Sequence, residues 1–172
     1  MFATCPLRRI RAVTVPAVTR LFASWFGTGL ILRRIRGSDL GSGTLASVLT
    51  FPVAIWLGTY GTVPQLLATA VVLALALWSI SALVGAEGDA GWIVIDEAAG
   101  TFIATISLGW GPGLVALIVF RAADIFKTAF PGVAYAERIP GAIGVSADDV
   151  VAGVYGLVAG LLAEAFLFRG LT

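Results

Sequence analysis

From Leu40 to Ala86 the chain runs for 47 residues without one charged side chain. A single membrane crossing needs roughly 20 apolar residues, so this run holds two helices and a connection. The segment Gly58-Thr59-Tyr60-Gly61-Thr62-Val63-Pro64 supplies the turn. The pattern therefore predicts a hairpin of helices over Thr44 to Leu57 and Gln65 to Val84. The first of these is short, about 21 Å at about 1.5 Å per residue, against a hydrocarbon core of roughly 30 Å. Three further apolar stretches follow, Trp92 to Leu108, Leu114 to Lys127 and Val150 to Phe168, the first two parted by Gly109-Trp110-Gly111-Pro112-Gly113. An earlier helix over Val15 to Leu32 carries Arg20 and has arginine clusters at both ends. Spanning would strand one cluster on the far side, so this helix is expected to lie in the interface.

The fold class expected is all-α: a polytopic membrane bundle of about four spanning helices plus an N-terminal interfacial helix. A basic membrane-surface segment (1–18) precedes a single helical domain (19–172). Such a threading returns residues 37–47, 85–97, 121–149 and the start of the last helix to one side, and puts Trp56, Tyr60 and Trp110 near the other interface.

Composition agrees, since 59% of the 172 residues are hydrophobic and 12% charged, where soluble domains average about 25% charged. The net charge of +1 argues against a nucleic-acid partner, but it conceals an asymmetry. Seven of the eleven basic residues precede position 37, whereas residues 87–149 hold eight of the ten acids. Acid chemistry belongs in the middle of the chain. Cys5, the single cysteine, allows no internal disulfide. Its C-x5-R spacing to Arg11 lacks the glycine-rich loop that a cysteine phosphatase wraps round phosphate.

Four polar groups interrupt the apolar pattern: Gly41 to Ser47, Asp96-Glu97, Arg121 to Lys127, and Gly141 to Asp149. Ionisable groups beside membrane helices cost a few kcal/mol, of order 3, unless paired or hydrated. Arg121 and Lys127 cannot balance Asp96, Glu97, Asp124, Asp148 and Asp149, so about three negative charges remain. A divalent cation is the simplest remedy, and oxygen donors with no histidine favour Mg²⁺ over zinc. Arg121, Asp124 and Lys127, at spacings of three, fall on one side of a helix, where Asp124 would reach a metal and the cations would hold phosphate. The bland alternative is a stripe of salt bridges. Asp148 and Asp149, read as preceding the last helix, could instead cap it along with Ser146. Gly43 and Thr44, where a helix starts after glycines, suit an anion cradle. Glu164 reads as a packing or interface residue.

Taken in order, these groups resemble the phosphatidylglycerophosphatase A family over about Thr19 to Gly160. Phe26-Gly27-Thr28-Gly29-Leu30 resembles F-G-T/S-G-L, and Gly43-Thr44-Leu45-Ala46-Ser47 resembles P-G-T-x-G-S. Val94 to Gly100 is similar to V-I-D-E-x-x-G, Phe120 to Lys127 to F-R-x-x-D-I-x-K-P, and Gly141 to Gly153 to G-G-x-G-I-M-x-D-D-x-x-A-G. Departures occur at Ser42, Ala46, Thr128 and Ala142, and an arginine-rich insert at about Arg33 to Asp39 lengthens the first loop. They bear on the fit around the glycerol of the substrate.

The resemblance implies Mg²⁺-dependent hydrolysis of phosphatidylglycerophosphate to phosphatidylglycerol and phosphate, at the cytoplasmic face of a bacterial inner membrane. Asp96, Glu97, Asp124, Asp148 and Asp149 would hold metal, Asp124 and Asp149 would serve catalysis, and Arg121, Lys127, Gly43 and Thr44 would bind the substrate phosphate. Attack by water, with a carboxylate as base, is favoured over a carboxylate nucleophile. The rival class is a transporter or ion pathway lined by intramembrane acids, which would need them at membrane depth instead of at span ends.

Overall fold

The computed structural model describes residues 15–87 and 90–169, excluding the side chains of 84–87. Cys5 and the arginines at 8, 9 and 11, with most of the expected surface segment 1–18, lie outside the described residues. Helices account for the architecture, and no strand occurs among the described residues. They are α1 (Ala17–Ala23), α2 (Thr28–Arg36), α3 (Ser42–Gly58), α4 (Thr62–Glu87), α5 (Ile95–Ala104), α6 (Trp110–Ile125), α7 (Val133–Ala136) and α8 (Ala142–Phe166), with one 3₁₀ turn at Lys127–Ala129.

The helix expected over Val15 to Leu32 is in fact two. Trp25, Phe26 and Gly27 take φ of 47°, 57° and 90° in succession, a left-handed run that no α-helix continues through. Aromatic packing holds the turn, with Trp25 edge-on to Phe102 at 6.5 Å and Phe22 to Phe26 at 5.7 Å. Beyond the turn Gly29 lies against the Trp92 carbonyl, where any Cβ would collide. The last helix also differs from expectation. It starts at Ala142, eight residues before Val150, so Asp148 and Asp149 lie inside its second turn and cannot be its caps.

The ten-residue α5 occupies the centre, packed against α3, α4, α6 and α8. Small side chains make this possible: Ala98, Ala99 and Ala104 are buried, and at Gly153 of α8 an added Cβ would sit 2.8 Å from the Gly100 carbonyl. Close backbone approach of this kind favours helix association inside a membrane. Outward faces are apolar, with Leu67, Val71 and Trp78 of α4 and Val158 and Leu162 of α8 all more than 45% exposed. Among the described residues, two helices are long and apolar enough to cross a membrane, over Thr62–Leu83 and Ala142–Phe166, and in each only 33% of the most apolar window is buried. Helix α3, at 17 residues, falls short of that length.

The bundle has two chemically different ends. At one, the buried Gln65 amide donates to the carbonyls of Ala54 (3.2 Å) and Thr105 (2.9 Å) and accepts from the Ser107 N–H (2.8 Å), tying α3, α4 and the end of α5 together. Thr62 and Ser107 hydroxyls meet there at 2.8 Å. The acids and their cations gather at the other end.

Candidate active site

Asp96 and Glu97 occupy the first turn of α5, where the free N–H groups and helix dipole favour negative charge. The Asp96 carboxylate accepts the Glu97 N–H at 3.1 Å. Asp149 reaches the same point from α8, and single oxygens of Asp96, Glu97 and Asp149 lie within 4.8 Å of one another. Asp96 is 5% exposed and Asp149 4%. Glu97 Oε2 and Asp149 Oδ1 are buried without a hydrogen-bond partner.

Those two orphaned oxygens are what a cation would satisfy. Three convergent carboxylates, hard oxygen donors in a chain without histidine, fit Mg²⁺ in donor type. Each of the five acids singled out in the sequence is found at this end of the bundle, but they divide. Asp96, Glu97 and Asp149 form the compact group, whereas Asp124 and Asp148 are engaged by cations.

Arg121 Nη1 pairs with Asp124 Oδ2 at 3.0 Å, one helical turn away on α6. Its Nη2 donates to Thr44 Oγ1 of α3 at 3.4 Å, and its Nε has no partner. Lys127 does not continue that helical stripe, because α6 ends at Ile125 and Lys127 begins the 3₁₀ turn. Its Nζ swings toward α7 and α8, donating to Asp148 Oδ2 at 2.6 Å and Glu137 Oε1 at 2.7 Å. Burial works against the lysine charge, but the bonds to Asp148 and Glu137 outweigh it and raise its pKa. Glu137 was not singled out from the sequence. The available signal was electrostatic: Lys127, one of three cations among the eight acids of residues 87–149, needed a partner in the acid-rich segment after it.

Helix α3 begins at Ser42, after Gly41 at φ 87°. Gly43 in its first turn is where Glu97 packs, and a Cβ there would run into the Glu97 carboxylate. Gly43 and Thr44 line an open cleft of about 610 Å³ together with Glu97, Arg121 and Asp39. The cleft brings Glu97 of the carboxylate group together with a guanidinium and the N-terminus of a helix, an arrangement suited to a phosphate held against a cation.

Residues 21–164 match the phosphatidylglycerophosphatase A family. Among curated proteins, one from Bacteroides thetaiotaomicron, by name a candidate phosphatidylinositol-3-phosphatase, is 29% identical over 80% of this chain and 88% of its own length. A phosphatidylglycerophosphatase A of Haemophilus influenzae is 40% identical over a local match covering 41% of this chain and 44% of the relative. No solved structure matches. The family match takes in α2 to α6, α7 and nearly all of α8, including every acid and cation of the site. With that coverage the chain belongs to the phosphatidylglycerophosphatase A family and is a phosphatase, a phosphoric monoester hydrolase.

Proposed function

We propose that this protein removes the terminal phosphate of phosphatidylglycerophosphate in a Mg²⁺-dependent reaction, leaving phosphatidylglycerol. The observation that carries the reading is the buried group Asp96, Glu97 and Asp149, with two orphaned oxygens, whose member Glu97 lines a cleft together with Arg121. A phosphate monoester dianion needs its charge neutralised before a nucleophile can approach. Mg²⁺, when bound by Asp96, Glu97 and Asp149, would supply Lewis-acid polarisation of a phosphoryl oxygen. Arg121, braced by Asp124 and Thr44, presents its guanidinium to the remaining oxygens. Asp124 is the carboxylate assigned to take a proton from the attacking water. As the new P–O bond forms, the bond to the glycerol oxygen breaks, and the proton taken up by Asp124 balances the one that oxygen acquires from the surrounding water. Lys127 holds Asp148 in place and adds positive charge at the same end.

The membrane reading extends this picture. Two apolar helices and the family support a membrane protein, and we place α3 and the α5–α6 region as further crossings of a multi-pass bundle. The charged end would face the cytoplasm at the inner membrane, where a lipid head group lies. Exposed Trp56, Tyr60 and Trp110 near the opposite end suit the other interface. A transport path is not favoured, because the acids converge at one end and do not line a route through the bundle. The deciding assay is phosphate release from phosphatidylglycerophosphate by protein purified in detergent, with and without Mg²⁺. No metal-dependent release sinks the proposal.

A further inference from the structure

The same cleft contains polar atoms that the phosphate chemistry leaves unused. Ser42, the first residue of α3, is 0% exposed and its Oγ has no hydrogen-bond partner. Asp39, three residues earlier, has a buried and equally unpartnered Oδ1. Both residues line the cleft beside Glu97 and Arg121. The backbone fixes them side by side, since the Ser42 N–H donates to the Asp39 carbonyl at 3.0 Å. Gly91 gives Asp39 its room, because a Cβ at position 91 would lie 3.1 Å from the Asp39 Cβ. Arg33 lies 3.8 Å from the other carboxylate oxygen, Oδ2. Oδ1 is left free, and orphaned polar atoms in a buried wall cost stability unless a ligand satisfies them.

We infer that Asp39 and Ser42 form a hydroxyl-reading subsite, which binds the free hydroxyl of a polyol phosphate head group while Arg121 and the carboxylate group hold its phosphate. The inference rests on the proposed phosphatase function. The donor and acceptor types fit: an alcohol O–H donates to Asp39 Oδ1, and its lone pair accepts from the Ser42 hydroxyl. The head-group glycerol of phosphatidylglycerophosphate has one free hydroxyl, on its middle carbon, next to the carbon bearing the phosphate ester. Leu40 and Ile125, 85% and 58% exposed, stand at the rim of the same cleft and give the apolar part of a lipid a surface to leave by.

The test is a cycle between enzyme and substrate. Phosphatidylglycerophosphate is compared with its deoxy analogue, in which 1,3-propanediol replaces the head-group glycerol, so that only the hydroxyl is lost. Phosphate release is measured in mixed micelles with Mg²⁺ for the wild type, Ser42→Ala and Asp39→Asn. The wild type is expected to prefer the hydroxylated lipid by roughly tenfold to a hundredfold in kcat/KM, as a hydrogen bond to a charged acceptor allows. Each variant should lose most of that preference by slowing on the hydroxylated lipid alone, with its rate on the deoxy lipid held within about twofold. Equal hydrolysis of both lipids by the wild type overturns the subsite and leaves the phosphatase reading intact. Variants that slow equally on both lipids also overturn it, since they point to a structural or metal-supporting role. Release from neither lipid by the wild type removes the phosphatase reading and the subsite with it.

Discussion

Replacing Gly43 by alanine isolates the contact between the start of α3 and the carboxylate group. A Cβ at this position would lie 2.8 Å from Glu97 Cδ and 3.1 Å from its Cγ, whereas comfortable carbon contacts are about 3.5–4.0 Å. The Glu97 Oε1 oxygen would be closer still, so the carboxyl must retreat by more than about 1 Å. Because the obstruction is the end of a flexible side chain, the fold should absorb it at small cost. The chemistry should not. Mg²⁺ tolerates little departure from near-octahedral bonds of about 2.0–2.1 Å, and a misplacement of about 1 Å can cost on the order of a hundredfold in rate. A hundredfold loss corresponds to about 2.7 kcal/mol of transition-state stabilisation. We expect Gly43→Ala to lower kcat/KM for phosphatidylglycerophosphate by about two orders of magnitude and to raise the Mg²⁺ concentration needed for half-maximal activity by about tenfold. The unfolding midpoint should stay close to that of the wild type. The assay is phosphate release in detergent across a Mg²⁺ titration. A variant within threefold of wild type at every Mg²⁺ concentration would falsify the assignment of Glu97 to the metal.

Asp149→Asn and Asp124→Asn should separate two roles. The first is expected to weaken Mg²⁺ binding at least tenfold and to cut kcat by roughly a thousandfold, the second to cut kcat with Mg²⁺ dependence unchanged. A shift in Mg²⁺ dependence in Asp124→Asn alone would reverse the assignment. Asp96, Glu97 and Asp149 converge, with Glu97 Oε2 and Asp149 Oδ1 unpartnered, and a metal must compete with protons for carboxylate ligands. The gain in unfolding midpoint on adding Mg²⁺ should therefore shrink as pH falls into the ordinary carboxyl range. A gain independent of pH would count against carboxylate ligation. Gln65→Leu orphans the carbonyls of Ala54 and Thr105 and the Ser107 N–H, for a loss of about 2–4 kcal/mol. The midpoint should drop while kcat at low temperature stays within about twofold, since Gln65 is at the opposite end from the acids.

Helix positions were legible in the sequence because the apolar runs are long and glycine or proline breaks them. Helices α3, α4 and α6 start and stop within a few residues of the expected bounds. The failures have local causes. At Trp25 and Phe26 two aromatic residues accept positive φ, a conformation that no propensity assigns them and that tertiary packing against Phe102 sustains. At the start of α8 the glycines at 141 and 144 look like a loop approach, yet only Gly141 lies outside the helix. Gly144 is a helical residue pressed against the Ile139 carbonyl. That error moved Asp148 and Asp149 out of the helix on paper, and with it their directions. About 100° apart on α8, one turns to Lys127 and the other to Asp96 and Glu97.

This division also changes how the excess of acid is understood. Counted along the chain, five carboxylates faced two cations, and any of the five could have been the unbalanced ones. In the fold both cations are already engaged: Arg121 by Asp124, and Lys127 by Asp148 and by Glu137, which the sequence count had left aside. The uncompensated charge is therefore concentrated on Asp96, Glu97 and Asp149, which also form a tight cluster. Three buried carboxylates in contact cannot all ionise without a counter-charge, and among the described residues the nearest cation is Arg121, which lines the cleft. The same placement leaves Arg121 as the cation that lines the cleft, with Thr44 and the start of α3 around it. A phosphate entering there meets one guanidinium already held at Nη1 and Nη2, so the positioning that catalysis needs is built before substrate arrives.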